Sequence, residues 1–82
     1  MRTEEFDEPI TVGDVFRGNQ VTPKWFIWGQ DKHEVKSVNM VWKGKEGEAP
    51  LRYFSVSARG NLYQLCLNQK TMEWRLEKVS VE

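Results

Sequence analysis

The chain has 82 residues, twelve of them Lys or Arg and twelve Asp or Glu, so its formal net charge is zero. That length holds one domain at most, and the charge balance excludes a global field that would draw in nucleic acid or an anionic membrane. A chain this short buries only around 60–65% of its unfolded surface, so four Trp, four Phe and two Tyr must supply much of the core.

The balance hides an asymmetry. Residues 1–8, MRTEEFDE, carry one cation and four anions, which leaves eleven cations and eight anions in the rest. Residues 1–7 are therefore expected to form a flexible acidic tail, ahead of a single β domain over 8–82. The acidic start lacks the apolar segment of a signal peptide, and no apolar run approaches the ~20 residues of a membrane helix. Cys66 is the only cysteine and has no internal disulfide partner. Together these features lead us to expect a cytoplasmic protein.

Taken in order, Pro9 to Val12 reads as a short strand, with Pro9 at an edge position where its missing N–H costs no ladder bond. Gly13-Asp14 breaks it, and Arg17-Gly18-Asn19-Gln20 reads as a turn. Pro23 forces Thr22 to be extended, and the aromatic, β-branched run Trp25-Phe26-Ile27-Trp28 favours a strand. Either Phe26 and Trp28 or Trp25 and Ile27 face its core.

Residues 33–43, HEVKSVNMVWK, admit two readings. As a helix, Asp31 and Glu34 form a capping box and Gly44 terminates it. As a strand, Val38, Met40 and Trp42 share a face, and a β-bulge near Ser37 absorbs the wrong parity of Val35. Val, Ser, Asn and Trp are poor helix formers, so the strand is preferred. Residues 44–50, GKEGEAP, read as a mobile loop.

The clearest pattern lies in residues 51–81. Phe54, Val56 and Ala58 alternate with Tyr53, Ser55 and Ser57; Arg59-Gly60-Asn61 turns the chain. Leu65 and Leu67, then Met72, Trp74 and Leu76, continue the alternation across a second turn at residues 68–71. This period of two predicts an antiparallel meander with one dry face. The expected fold is all-β, with five to six antiparallel strands in a twisted sheet or half-open small barrel. Its core would hold Ile10, Val12, Phe26, Trp28, Val38, Met40, Trp42, Phe54, Val56, Leu65, Leu67, Trp74 and Leu76.

The order of Glu8-Pro9-Ile10-Thr11-Val12, Trp25-Phe26-Ile27-Trp28, Arg52-Tyr53-Phe54-Ser55-Val56, Leu62-Tyr63-Gln64-Leu65 and Trp74-Arg75-Leu76-Glu77-Lys78-Val79 resembles a family. It is a small bacterial β-domain family, known mostly as stand-alone proteins. Similar segments end some proteins related to Y-family DNA polymerases. The resemblance spans roughly residues 8–80. It implies a β domain with a DNA-linked context, and it carries over no activity and no site residue.

No motif for catalysis emerges. His33, the only histidine, sits in a charged turn and is expected to be solvated. A Cys66–His33 pair would require the two to meet in space, and the apolar run around Cys66 favours an inert thiol. Ser55 and Ser57 read as the polar face of a sheet. Glu73 and Glu77 would stand about 13 Å apart on one strand, too far for a glycosidase pair. The chain is therefore not expected to be an enzyme, nor to use a metal or cofactor.

Basic and aromatic residues do interleave. The candidate contact surface is Lys24, Trp25, Ile27, Lys43, Lys45, Arg52 and Tyr53. The leading expectation is a non-catalytic interaction module, with a protein partner or self-association favoured because the run at 25–28 holds more aromatics than one face can bury. The alternative is a single-stranded nucleic-acid binder, in which bases stack on aromatic rings and cations follow the phosphates.

Overall fold

The period-two segments become strands, and the segments read as tail and loop join them. The computed structural model describes residues 2–81. It holds seven strands: β1 (Arg2–Arg17), β2 (Gln20–Trp28), β3 (Asp31–Glu34), β4 (Ser37–Glu46), β5 (Ala49–Ala58), β6 (Asn61–Asn68) and β7 (Glu73–Val81). They form one open antiparallel sheet in the order β3-β2-β1-β7-β6-β5-β4. The all-β expectation holds, with seven strands in place of five or six.

The acidic start is the first correction. Arg2 to Glu5 pair with Val81 to Lys78, so residues 2–7 belong to β1 and are not a frayed tail. Charge alone made them look solvated, but β1 needs only one inward side chain here, and Phe6 provides it by packing against the core. Residues 44–50 are the second correction. β4 runs to Glu46 and β5 starts at Ala49, leaving a tight turn at residues 47–48 with Gly47 at φ 60°.

β1 serves two ladders. Its first part pairs with β7, and Thr11 to Arg17 pair with β2. Irregularities between Glu5 and Glu8 and at Gly13/Asp14 bend it, so the sheet curls. Phe26 of β2 then meets Tyr63 of β6 edge to face, at 5.0 Å between ring centroids.

The concave face is the core: Val21, Phe26, Phe54, Val56, Ala58, Tyr63, Leu65, Leu67, Trp74, Leu76 and Val79. Ile10, Val12, Trp28 and Val38 pack against it half-buried. Of the two parities open for residues 25–28, Phe26 and Trp28 face inward.

Residues 33–43 are extended, with a break rather than a helix. The bulge falls at Asn39, between Val38 and Met40. Val38 pairs with the core residue Val56, but beyond the bulge Met40 pairs with Ser55 and Trp42 with Tyr53. Met40 and Trp42, expected in the core, therefore lie on the outer face, where Trp42 stacks on Tyr53 at 5.4 Å. Met72 is likewise out of the core, half-exposed in the turn before β7.

Candidate functional site

Two edges of the sheet approach each other without joining. β3 pairs with Trp25 to Trp28, so among the described residues the free side of Gln20 to Lys24 in β2 carries no strand. Among the described residues, β4 pairs with β5 alone, leaving its other side free from Ser37 to Glu46. The crossover from β3 to β4 ties the two edges at one corner. Val35 donates its backbone N–H to Lys24 O (3.0 Å), and the next residue, Lys36, donates to Ser57 O on the other side (2.7 Å). At the far corner Arg52 Nη1 donates to Asn19 O at 2.8 Å.

Between these ties lies a seam with a cleft of about 260 Å³, lined by Gln20, Val21 and Thr22 on one side and Val38, Val41 and Arg52 on the other. A second cleft of about 360 Å³ adjoins it through Val21 and Arg52 and adds Phe16, Lys43 and Gln69. A third, of about 290 Å³, shares Gln20 and Thr22 and adds Val15, Arg17 and Lys24. Among the described residues, no carboxylate lines any of the three. Val15, Phe16 and Val41 are 42%, 50% and 50% exposed there, among the most exposed large apolar side chains described. An end that is both apolar and cationic is thus set in a chain of zero net charge.

The structure separates the seven residues of the candidate contact surface. Lys43 and Arg52 are cross-strand partners that line the seam, and Lys24 lies on its rim. Lys45 is exposed two pairs further along β4, opposite Pro50. Tyr53 is on the opposite face of the sheet, stacked on Trp42. Trp25 and Ile27 point outward from β2. Trp25 is folded down over Gly13 of β1, with Lys32 Nζ 5.0 Å from its ring centroid. Ile27 borders a shallow cleft with Glu8 and Pro9.

Sequence reasoning missed Phe16, Val21 and Val41. One signal was present: Val15 and Phe16 are adjacent, so on a two-faced strand one of them had to face away from the core. The position of Val41 depends on the bulge: the parity of Val35 places it near Ser37, which leaves Met40 and Trp42 facing inward, whereas it falls at Asn39, beyond Val38, and turns Val41 to that face instead.

His33 is the other surprise. It is only 5% exposed and packs into an aromatic cluster with Phe26, Tyr63 and Trp28. Its Nδ1 donates to Asp31 O at 3.1 Å. Burial disfavours the imidazolium and lowers the pKa, against the opposing pull of the Asp31 carbonyl.

Cys66 lies on the other side of the sheet, paired between Tyr53 and Arg75. His33 and Cys66 are therefore on opposite faces and form no nucleophile pair. Cys66 borders an outer cleft of about 350 Å³ with Asp7, Glu46, Glu73, Glu77 and Arg75. Burial, reinforced by Glu77 and Glu46, pushes its pKa up to about 11, so the thiol stays protonated at neutral pH. Arg75 Nη2 donates to Asp7 O at 2.8 Å, and its Nε pairs with the Asp7 carboxylate.

Among the described residues, no group of three or more His, Cys, Asp or Glu is placed to hold a metal ion, and no helix is long and apolar enough to cross a membrane. In comparisons with protein-family models, curated proteins and solved structures, nothing matches this chain.

Proposed function

We propose that the protein is a non-catalytic interaction module and that its contact surface is the seam between β2 and β4. One observation carries this reading. Val15, Phe16 and Val41 share contiguous clefts with Arg17, Lys24, Lys43 and Arg52, and no carboxylate among the described residues intervenes. Exposed apolar side chains rimmed by charge mark interaction sites, and the uniform sign selects an acidic partner. A protein partner is favoured because the seam combines free strand edges with aliphatic side chains.

The experiment is an amide chemical-shift titration of the whole protein at low salt. The probes are an acidic polypeptide and a single-stranded oligonucleotide. Shifts clustered at Gln20–Thr22, Val38–Lys43 and Arg52 are expected, and they should weaken with added salt. Shifts scattered over the surface, or none with either probe, would discard the seam as the contact surface.

The nucleic-acid reading keeps one specific support. Phe16 is half-exposed in a cleft that also holds Lys43 and Arg52, as stacking on a base with nearby phosphate contacts requires. It also accords with the DNA-linked context that the family resemblance implies. An oligonucleotide response centred on Phe16, with no response to the acidic polypeptide, would select it.

A further inference from the structure

The two free edges of this sheet are defended differently. β3 has four residues, three of them charged (Asp31, Lys32 and Glu34), which is how natural sheets prevent edge-to-edge pairing. β4 offers ten residues, with Met40 62% and Val41 50% exposed. In any antiparallel pair, every second residue aims its N–H and C=O away from its partner strand, so β4 presents a row of these groups outward. Its charges have a direction too. After the bulge at Asn39, Val41 pairs with Phe54, Lys43 with Arg52 and Lys45 with Pro50, so Val41, Lys43 and Lys45 share one face with Arg52. Lysines on an edge disfavour a second basic edge and favour an acidic strand.

We infer that β4 accepts an extended acidic peptide of a partner protein as an eighth strand. The peptide's side chains at alternate positions meet Val41, Lys43 and Lys45 in turn. The inference rests on reading the seam as the contact surface and specifies its occupant. Position one is apolar and enters the cleft of about 260 Å³ between Val21, Val38 and Val41, which is large enough for one big side chain. The next two positions on that face are Asp or Glu, opposite Lys43 and Lys45, with Arg52 adjoining. Recognition thus follows an apolar-x-acidic-x-acidic pattern, or its reverse in an antiparallel strand. Main-chain hydrogen bonds hold the peptide, and the alternate side chains select it.

The test uses the full chain and a fluorescein-labelled nonapeptide, Glu-Thr-Glu-Thr-Val-Thr-Glu-Thr-Glu, which reads alike in both directions. Anisotropy measures binding, and amide shifts locate it. Two further versions carry N-methyl groups on the odd or the even residues. A third has Lys in place of Glu. Binding with shifts along Ser37–Glu46 is expected, and the Lys peptide should not bind. N-methylation of one set of residues should abolish binding while the other set leaves it intact. The double variant K43E/K45E, at two exposed positions, should weaken the acidic peptide by about tenfold. Its far-UV circular dichroism confirms that it folds.

Binding that is indifferent to both N-methyl patterns overturns strand addition and leaves the seam as the contact surface. Failure of the nonapeptide, with the oligonucleotide still shifting the seam, overturns the peptide occupant alone. Self-pairing through β4, seen by sedimentation as a dimer that K43E/K45E alters, replaces the peptide with a second copy. No response at the seam to any probe removes both the inference and the reading on which it rests.

Discussion

The imidazole of His33 lies flat against the ring of Phe26, with centroids 4.8 Å apart and planes within 8°. The strands that carry them pair residue for residue, and Tyr63 closes the stack edge-on at 5.3 Å from the imidazole. A buried neutral histidine is thus part of the aromatic core.

Its lowered pKa makes stability depend on pH. The unfolded histidine, near pKa 6.5, takes up a proton before the folded one does as pH falls. The contribution of this group is intact above about pH 6.5 and declines below it, toward the folded value. Urea midpoints measured at about pH 7.5 and about pH 5.5 should fall for the natural protein and fall less for His33→Phe. Equal declines in the two would show that other groups control this range.

Trp25 covers Gly13 so closely that a methyl group there would run into the indole. Gly13→Ala should displace the ring, break its contact with Lys32 and cost about 1–2 kcal/mol. In a Trp25→Ala background the same substitution should cost nearly nothing. A thermodynamic cycle by chemical denaturation checks this, and additive costs would refute the steric account.

Met72 has φ 64° in the turn before β7, where its backbone N–H donates to Asn68 O at 2.7 Å. A left-handed conformation disfavours a Met by roughly 1–2 kcal/mol. Met72→Gly should recover about 1 kcal/mol, visible as a rise in Tm of roughly 4–8 °C by calorimetry. Gly60→Ala, at φ 78°, should lower Tm by a similar amount.

Cys66 should resist alkylation. With a pKa of about 11, against the usual 9.0, its thiolate fraction at about pH 8 is roughly 100-fold below that of an unfolded thiol. Iodoacetamide labelling followed by mass spectrometry should therefore be slow in buffer and fast in denaturant. Rapid labelling of the native protein would contradict the burial of this thiol.

The C-terminal half was legible because Phe54, Val56, Leu65, Leu67, Trp74 and Leu76 alternate with polar neighbours, and local turns fix their register. The seam was not. It depends on the bulge falling at Asn39, two residues beyond the parity break near Ser37, and on the long-range approach of β2 to β4, tied by Arg52 and Asn19, which leaves no periodic signal. Gly44 shows how one residue can mislead. It reads as a helix terminator or a loop opener, yet it lies mid-strand beneath the Tyr53 ring, where a side chain would collide. His33 was missed because its neighbours Phe26 and Tyr63 come from different strands, and nothing local foretold the stack.

β7 is last in the chain but fourth of seven in the sheet, between β1 and β6. During synthesis, β1 to β3 and β4 to β6 emerge as two separate meanders, each with a long unpaired margin, the first holding Val21 and Phe26 of the core and the second Phe54, Val56, Ala58, Tyr63, Leu65 and Leu67. Neither can be sealed until residues 73–81, which carry Trp74, Leu76 and Val79 of the core, leave the ribosome and insert between them. The nascent chain should therefore stay protease-sensitive and dependent on chaperones until that final segment emerges, and then become protected in a single step.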